Sequence, residues 1–213
     1  MKSVVVGVHR MREDVEPVAD VIAVDDLWLS VVGVADDQPL GDRDLLLRVA
    51  KVRAELLDRA TFIAIRYGFA VGSAAEAEAK CAAQVKRWKA LLDTNRGHVE
   101  MTLKVAADSP KPRPRRAEFS SGADYLRALH GATTAVDIDE AFRKGAEEAM
   151  NAVAMRWIHR DEKSIELAAL VERSRVDDVR RAGERLKQGF PRVPFLLSGP
   201  WPLEAFAEEG IEN

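Results

Sequence analysis

Residues 193–206 read Val193-Pro194-Phe195-Leu196-Leu197-Ser198-Gly199-Pro200-Trp201-Pro202-Leu203-Glu204-Ala205-Phe206. The first five are apolar, long enough for a strand and too short for a helix. The chain is then expected to turn. Gly199 tolerates backbone angles that other residues avoid, and Pro200 and Pro202 fix φ and donate no backbone hydrogen bond, so no ladder is expected to run through them. Trp201, which precedes a proline, is pushed to an extended conformation. The stretch predicts a rigid bracket that presents one large aromatic at the end of a strand. That ring either closes a core or, with Phe206, offers a stiff apolar anchor to a partner.

Working back toward the start, the period of the apolar residues changes several times. Val4–Val8 is β-branched and predicts a strand. Val21–Val24 and Leu27–Val34 predict a hairpin whose turn is the pair Asp25-Asp26. From Asp42 to about Arg59, Leu45, Val49, Val52 and Leu56 fall on one helical stripe. Thr61–Tyr67 is a further strand candidate, broken at Gly68. Ser73 and Glu76 have the spacing of a capping box, opening a helix with Cys81, Val85, Trp88 and Leu92 on one face and an end near Asn95–Gly97.

The second half follows the same grammar. Val99, Met101, Leu103 and Val105 alternate with Glu100, Thr102 and Lys104, which predicts a strand with one dry and one wet face. The run Asp108-Ser109-Pro110-Lys111-Pro112-Arg113-Pro114-Arg115-Arg116 predicts an extended, solvated loop. Ser121 and Asp124 cap a helix through Leu129 that Gly131 ends. Asp137 and Glu140 cap a longer one with Phe142, Ala146, Ala149, Val153 and Trp157 on one face. Ile165–Val171 reads as a strand, and Asp177 opens a helix stopped by Gly189 and Pro191. A βαβ pair with its neighbouring strand suggests ferredoxin-like packing. The expected fold class is α+β, with a ferredoxin-like N-terminal domain over residues 1–95 and an α/β C-terminal domain with long helices over residues 96–213.

Composition narrows the function. Apolar residues make up 47% and charged residues 31% of 213 residues, with a net charge of −3. That is an ordinary globular mix with no overall attraction to nucleic acid. A single cysteine, Cys81, rules out an internal disulfide and a multi-cysteine zinc site, and its place on a helical stripe makes it a core thiol. No apolar run approaches the roughly 20 residues of a membrane span, and the first ten residues are too short in apolar core for a signal peptide. The expectation is a cytoplasmic protein that acts away from the membrane.

Each local chemistry is incomplete. Gly68–Ser73 precedes a helix but lacks the lysine of a phosphate loop. His98 and Glu100 share a strand face without a third metal ligand. His159-Arg160-Asp161 mimics the kinase catalytic triplet without its companion motifs and reads as the polar end of a helix. Asp137–Glu140 is too short for a calcium loop. The sequence therefore argues for no catalytic residue, no cofactor and no metal.

Four stretches in this order resemble the gas vesicle protein F/L family. They are Ile63-Ala64-Ile65-Arg66-Tyr67-Gly68, Val99–Val105, Ser121-Gly122-Ala123-Asp124-Tyr125-Leu126 and Leu197–Phe206. The Gly-Pro-Trp-Pro run of the last is the most specific. The chain departs from the family pattern at Ala64, Leu203, Glu204 and Ala205. The resemblance implies a non-enzymatic accessory protein of gas vesicles, found with the vesicle or in the cytoplasm. It implies contact with the small hydrophobic shell protein and with other accessory proteins during assembly. The candidate contacts are Trp201, Phe206, Arg66 and Tyr67. The residues alone leave open a ligand- or nucleic-acid-binding regulator on a ferredoxin-like scaffold, through the basic run 111–116, and an enzyme assembled from distant residues.

Overall fold

The computed structural model describes residues 2–35, 37–106, 115–133, 138–161 and 164–207, without the side chains at 128–133 and 160–161. The chain divides into two compact units, one of residues 1–99 with 200–213 and one of residues 100–199. Each is built on an antiparallel sheet.

In the first unit, β1 (Lys2–His9), β2 (Asp20–Val24) and β3 (Leu27–Val34) join two short strands, β4 (Ile63–Ala64) and β5 (Ala70–Val71). The order is β2-β3-β1-β4, with β5 also on β1. The expected hairpin forms, and Asp25 takes φ 54° at its turn, a left-handed conformation that a short polar side chain tolerates. A register shift between Val5 and Gly7 bulges β1. Gly7 sits where Phe62 crosses the strand, and a Cβ there would lie 2.5 Å from Phe62 Cδ2. The segment between β1 and β2 forms single turns rather than a helix. Glu16 N–H bonds to Arg12 O and Ala19 N–H to Val15 O, while Pro17 withholds the amide that would continue the ladder.

Helix α1 (Arg43–Arg59) begins at Asp42, whose carboxylate accepts from Leu45 N at 3.0 Å. Its stripe Leu45, Val49 and Leu56 is buried against Val4, Val6, Val32, Val34 and Phe62. Serine 73 caps α2 (Ala74–Cys81) as the capping-box spacing predicts. The expected single helix to Asn95 is instead two, α2 and α3 (Val85–Thr94). The turn at Ala82–Gln84 contains no glycine or proline, so tertiary packing overrides propensity there. Cys81 and Leu92 are buried at the two ends, while Val85 and Trp88 between them are half-buried.

The second unit runs β6 (His98–Ala106), α4 (Gly122–Thr133), α5 (Glu140–Met150), β7 (Ala154–Asp161), β8 (Ser164–Glu172), α6 (Val176–Gly189) and β9 (Phe195–Trp201). The sheet order is β7-β8-β6-β9. Strand, helices, two strands, helix, strand in this sheet order is the ferredoxin-like arrangement, here in residues 100–199. Phe142 is fully buried. It meets Phe190 edge-on at 5.3 Å and Phe195 at 5.5 Å, tying α5 to the end of α6 and the start of β9.

Several expectations change in this unit. The expected wet face of β6 is wet only at Lys104, which is exposed, while Glu100 is 3% and Thr102 9% exposed. The long helix after Glu140 stops at Asn151, which takes φ 41°, a left-handed helix end that asparagine accepts. Val153 is then 63% exposed, and Trp157 and His159 lie in β7 rather than on a helix. Helix α4 runs past Gly131 to Thr133. The terminal strand also continues through Gly199 and Pro200 to Trp201. It lies at the sheet edge, where a missing proline amide breaks no inner ladder. The cap on α5 is Asp139, accepting from Ala141 N at 2.7 Å; the expected Asp137 and the basic run from Lys111 to Pro114 lie outside the described residues.

Candidate partner-binding cleft

Helix α1 carries two neighbouring apolar stripes. One packs into the core. The other, Leu46, Ala50, Ala54 and Leu57, repeats every three or four residues and so shares a face. It forms one wall of a cleft of about 410 Å³, together with Val49 and Arg53. Tyr67, Trp201 and Pro202 complete the lining. Leu46 is 42% and Trp201 46% exposed, so the Trp201 ring is not a core plug.

The bracket read from the sequence explains how a residue 150 positions away reaches α1. Pro202 is buried, Leu203 N–H donates to Phe62 O at 2.8 Å, and Leu203 makes a parallel bridge with Ile63. Leu203 and Ala205 are buried, alternating with exposed Glu204 as an extended segment must. These contacts seat the end of the chain on β4, and the two prolines fix the backbone on either side of Trp201. Across the cleft, the Tyr67 hydroxyl donates to Leu40 O, which holds the ring in place.

One charged side chain enters the lining. Arg53 donates from Nη2 to Ile65 O at 2.8 Å, while its Nε is buried without an acceptor. No carboxylate lines the cleft among the described residues. The surface is therefore apolar with one cation, suited to holding an apolar segment and offering no acid–base pair.

Of the four contacts expected from sequence, Tyr67 and Trp201 line this cleft. Arg66 is exposed and Phe206 half-buried, and neither is part of the lining. Leu46, Ala50, Arg53, Ala54 and Leu57 were not expected. Their signal is the leucine runs Leu45-Leu46-Leu47 and Leu56-Leu57, which widen the apolar arc beyond what one core face uses.

The other polar candidates lie outside this cleft. Gly72 N–H donates to Glu76 Oε2 at 2.6 Å, and Glu76 N–H to Ser73 Oγ. His98 Nδ1 lies 3.1 Å from Arg96 O while its Nε2 is buried without a partner, Glu100 is buried in β6, and Cys81 is a buried free thiol whose pKa burial pushes up. No group of three or more His, Cys, Asp or Glu is placed to hold a metal among the described residues. Among the same residues, no helix is long and apolar enough to cross a membrane. His9, unremarked in the sequence, is fully buried and stacks on Phe62 at 5.0 Å. Burial drives its pKa from 6.5 to about 3.

The fold and cleft define a two-unit α+β protein with an apolar cleft in its first unit. Its fold matches that of crystal structures of the gas vesicle protein GvpF. For GvpF from Microcystis aeruginosa the TM-score is 0.68 at 12% identity, covering 97% of this chain and 99% of that one. For GvpF from Anabaena sp. PCC7120 it is 0.64 at 12% identity, covering 98% and 97%. No curated protein sequence matches the chain. Residues 13–208 match the family described as gas vesicle synthesis protein GvpL/GvpF. The chain belongs to that family and is a gas vesicle-related protein.

Proposed function

We propose that the protein serves gas vesicle assembly by binding the small hydrophobic shell protein and other vesicle proteins, in the cytoplasm and at the growing vesicle, without catalysing a reaction. Family membership across residues 13–208 carries the reading. The cleft supplies a physical route, since an apolar subunit needs its sticky surface covered before it packs into a wall. Tyr67 and Trp201 are the proposed contacts within the cleft. Arg66, next to Tyr67, and Phe206, beyond the bracket, are proposed contacts outside it. The strand order β2-β3-β1-β4 also supports a ferredoxin-like reading of the first unit, with the turns at Arg12–Ala19 in place of a first helix.

Co-expression with the shell protein tests this. Co-purification, or a rise in the soluble fraction of the shell protein, is expected. A shell protein that stays insoluble and does not co-purify overturns it.

A further inference from the structure

The shape and charge of the cleft say more about its occupant than family membership does. Its long wall is the α1 run Leu46, Ala50, Arg53, Ala54 and Leu57, with tyrosine and tryptophan facing it. The eleven steps from Leu46 to Leu57 extend about 17 Å at 1.5 Å per residue, roughly the length of three helical turns. Ala50 and Ala54 stand on either side of Arg53 at the middle of the run, and leucines stand at its ends. A second backbone can therefore approach α1 closely at Ala50 and Ala54 while its side chains pass between Leu46 and Leu57. The spacing 46, 50, 53, 57 is also the seam pattern by which one helix receives another.

The charge is one-sided. Arg53 is the sole charged residue of the lining among the described residues, and its Nε is buried with no acceptor. Arg43 lies one turn before Leu46 on the same helix face. An occupant bearing lysine or arginine at mid-length would meet Arg53 with like charge. One bearing a carboxylate would pair with it in a partly desolvated site, where charge-assisted bonds are strongest.

We infer that the cleft receives an amphipathic α-helix of a partner protein, about three turns long, whose apolar face carries one acidic residue that pairs with Arg53. The inference rests on the proposal that the cleft is a partner surface, and adds the form and charge of the segment it takes.

The test uses two synthetic 14-residue helical peptides, identical except for glutamate or lysine beside the central leucine, titrated into the full chain by fluorescence anisotropy. The glutamate peptide is expected to bind about tenfold more tightly, with a preference that shrinks as salt rises. Arg53→Met removes the preference, and Ala50→Trp, which fills the cleft from an exposed helix position, removes binding of both. Thermal unfolding of each variant confirms folding. Should Ala50→Trp misfold, Ala54→Trp replaces it.

Equal affinity for the two peptides, or a preference that survives Arg53→Met, overturns the inference. So does failure of both peptides to bind. If shell protein is nevertheless captured by the native chain and lost on Ala50→Trp, the cleft is a partner surface and only the acidic-helix inference fails. If capture survives Ala50→Trp, the cleft reading itself falls.

Discussion

His9 Nε2 and Ser30 Oγ lie 3.0 Å apart in the core, and the direction of that bond is fixed by a third group. The Ser30 hydroxyl donates to Gly7 O, so it must accept from His9. Nε2 therefore carries the proton, and Nδ1, buried without a partner, does not. A second proton would place a cation where nothing can receive it.

This makes stability depend on pH in a defined window. The folded histidine has a pKa of about 3 against 6.5 unfolded. Its contribution is complete above about pH 6.5 and is lost as pH falls toward 3, because only the unfolded chain takes up the proton. Between pH 6.5 and 5.5 the loss should be about 1 kcal/mol, since the unfolded histidine is already half protonated at pH 6.5. Denaturant titrations of the native chain and His9→Gln at both pH values check it: the native chain should show the extra loss, and equal slopes would contradict it.

Gly199 is held by its neighbours as well as by its backbone. It takes φ 116°, and a Cβ would lie 2.8 Å from Met101 Sδ and 2.9 Å from Glu100 O. Gly199→Ala should cost roughly 2 to 4 kcal/mol. Gly189→Ala, at the end of α6 with open space around it, should change stability by less than about 1 kcal/mol. Chemical denaturation compares them, and equal costs would contradict the packing described at Gly199.

Trp201 and Phe142 separate surface from core. Phe142 is fully buried, whereas Trp201 is 46% exposed. Phe142→Ala should cost about 3 to 5 kcal/mol. Trp201→Ala should cost less than about 2 kcal/mol while weakening capture of the shell protein. A stability loss at Trp201 matching that at Phe142 would restore the core-plug reading.

Cys81 offers a probe of opening. It is 1% exposed, unpaired in any disulfide, and its thiol is held protonated by burial. A thiol reagent should react with it at the rate of unfolding and rapidly in denaturant. Fast stoichiometric labelling of the native chain would contradict the burial of α2.

Much of the fold is legible in the sequence because strong local signals coincide with packing. Ser73 caps a helix where its spacing says it should, and α1 starts at Asp42, where the apolar period turns helical. Asp25-Asp26 turns the hairpin. Errors fall where two periods fit. Val153, Met155 and Trp157 satisfy strand alternation as well as the helical face inferred from Val153 and Trp157, and the left-handed Asn151 decides between them. The strand expected over Thr61–Tyr67 forms only at Ile63–Ala64, and β5, also two residues, is too short to leave a pattern. In the cleft, the aromatic half is readable from its motifs. The α1 half is not, since a leucine on the flank of a core stripe looks the same whether a partner or water meets it.

The most direct test of the account is capture of the shell protein by the native chain and by Ala50→Trp, side by side, with thermal unfolding to show that both are folded. The shell protein should co-purify with the native chain and be lost from the variant. Retention on a folded Ala50→Trp, or failure of the native chain to retain it, would contradict a role exercised through this cleft.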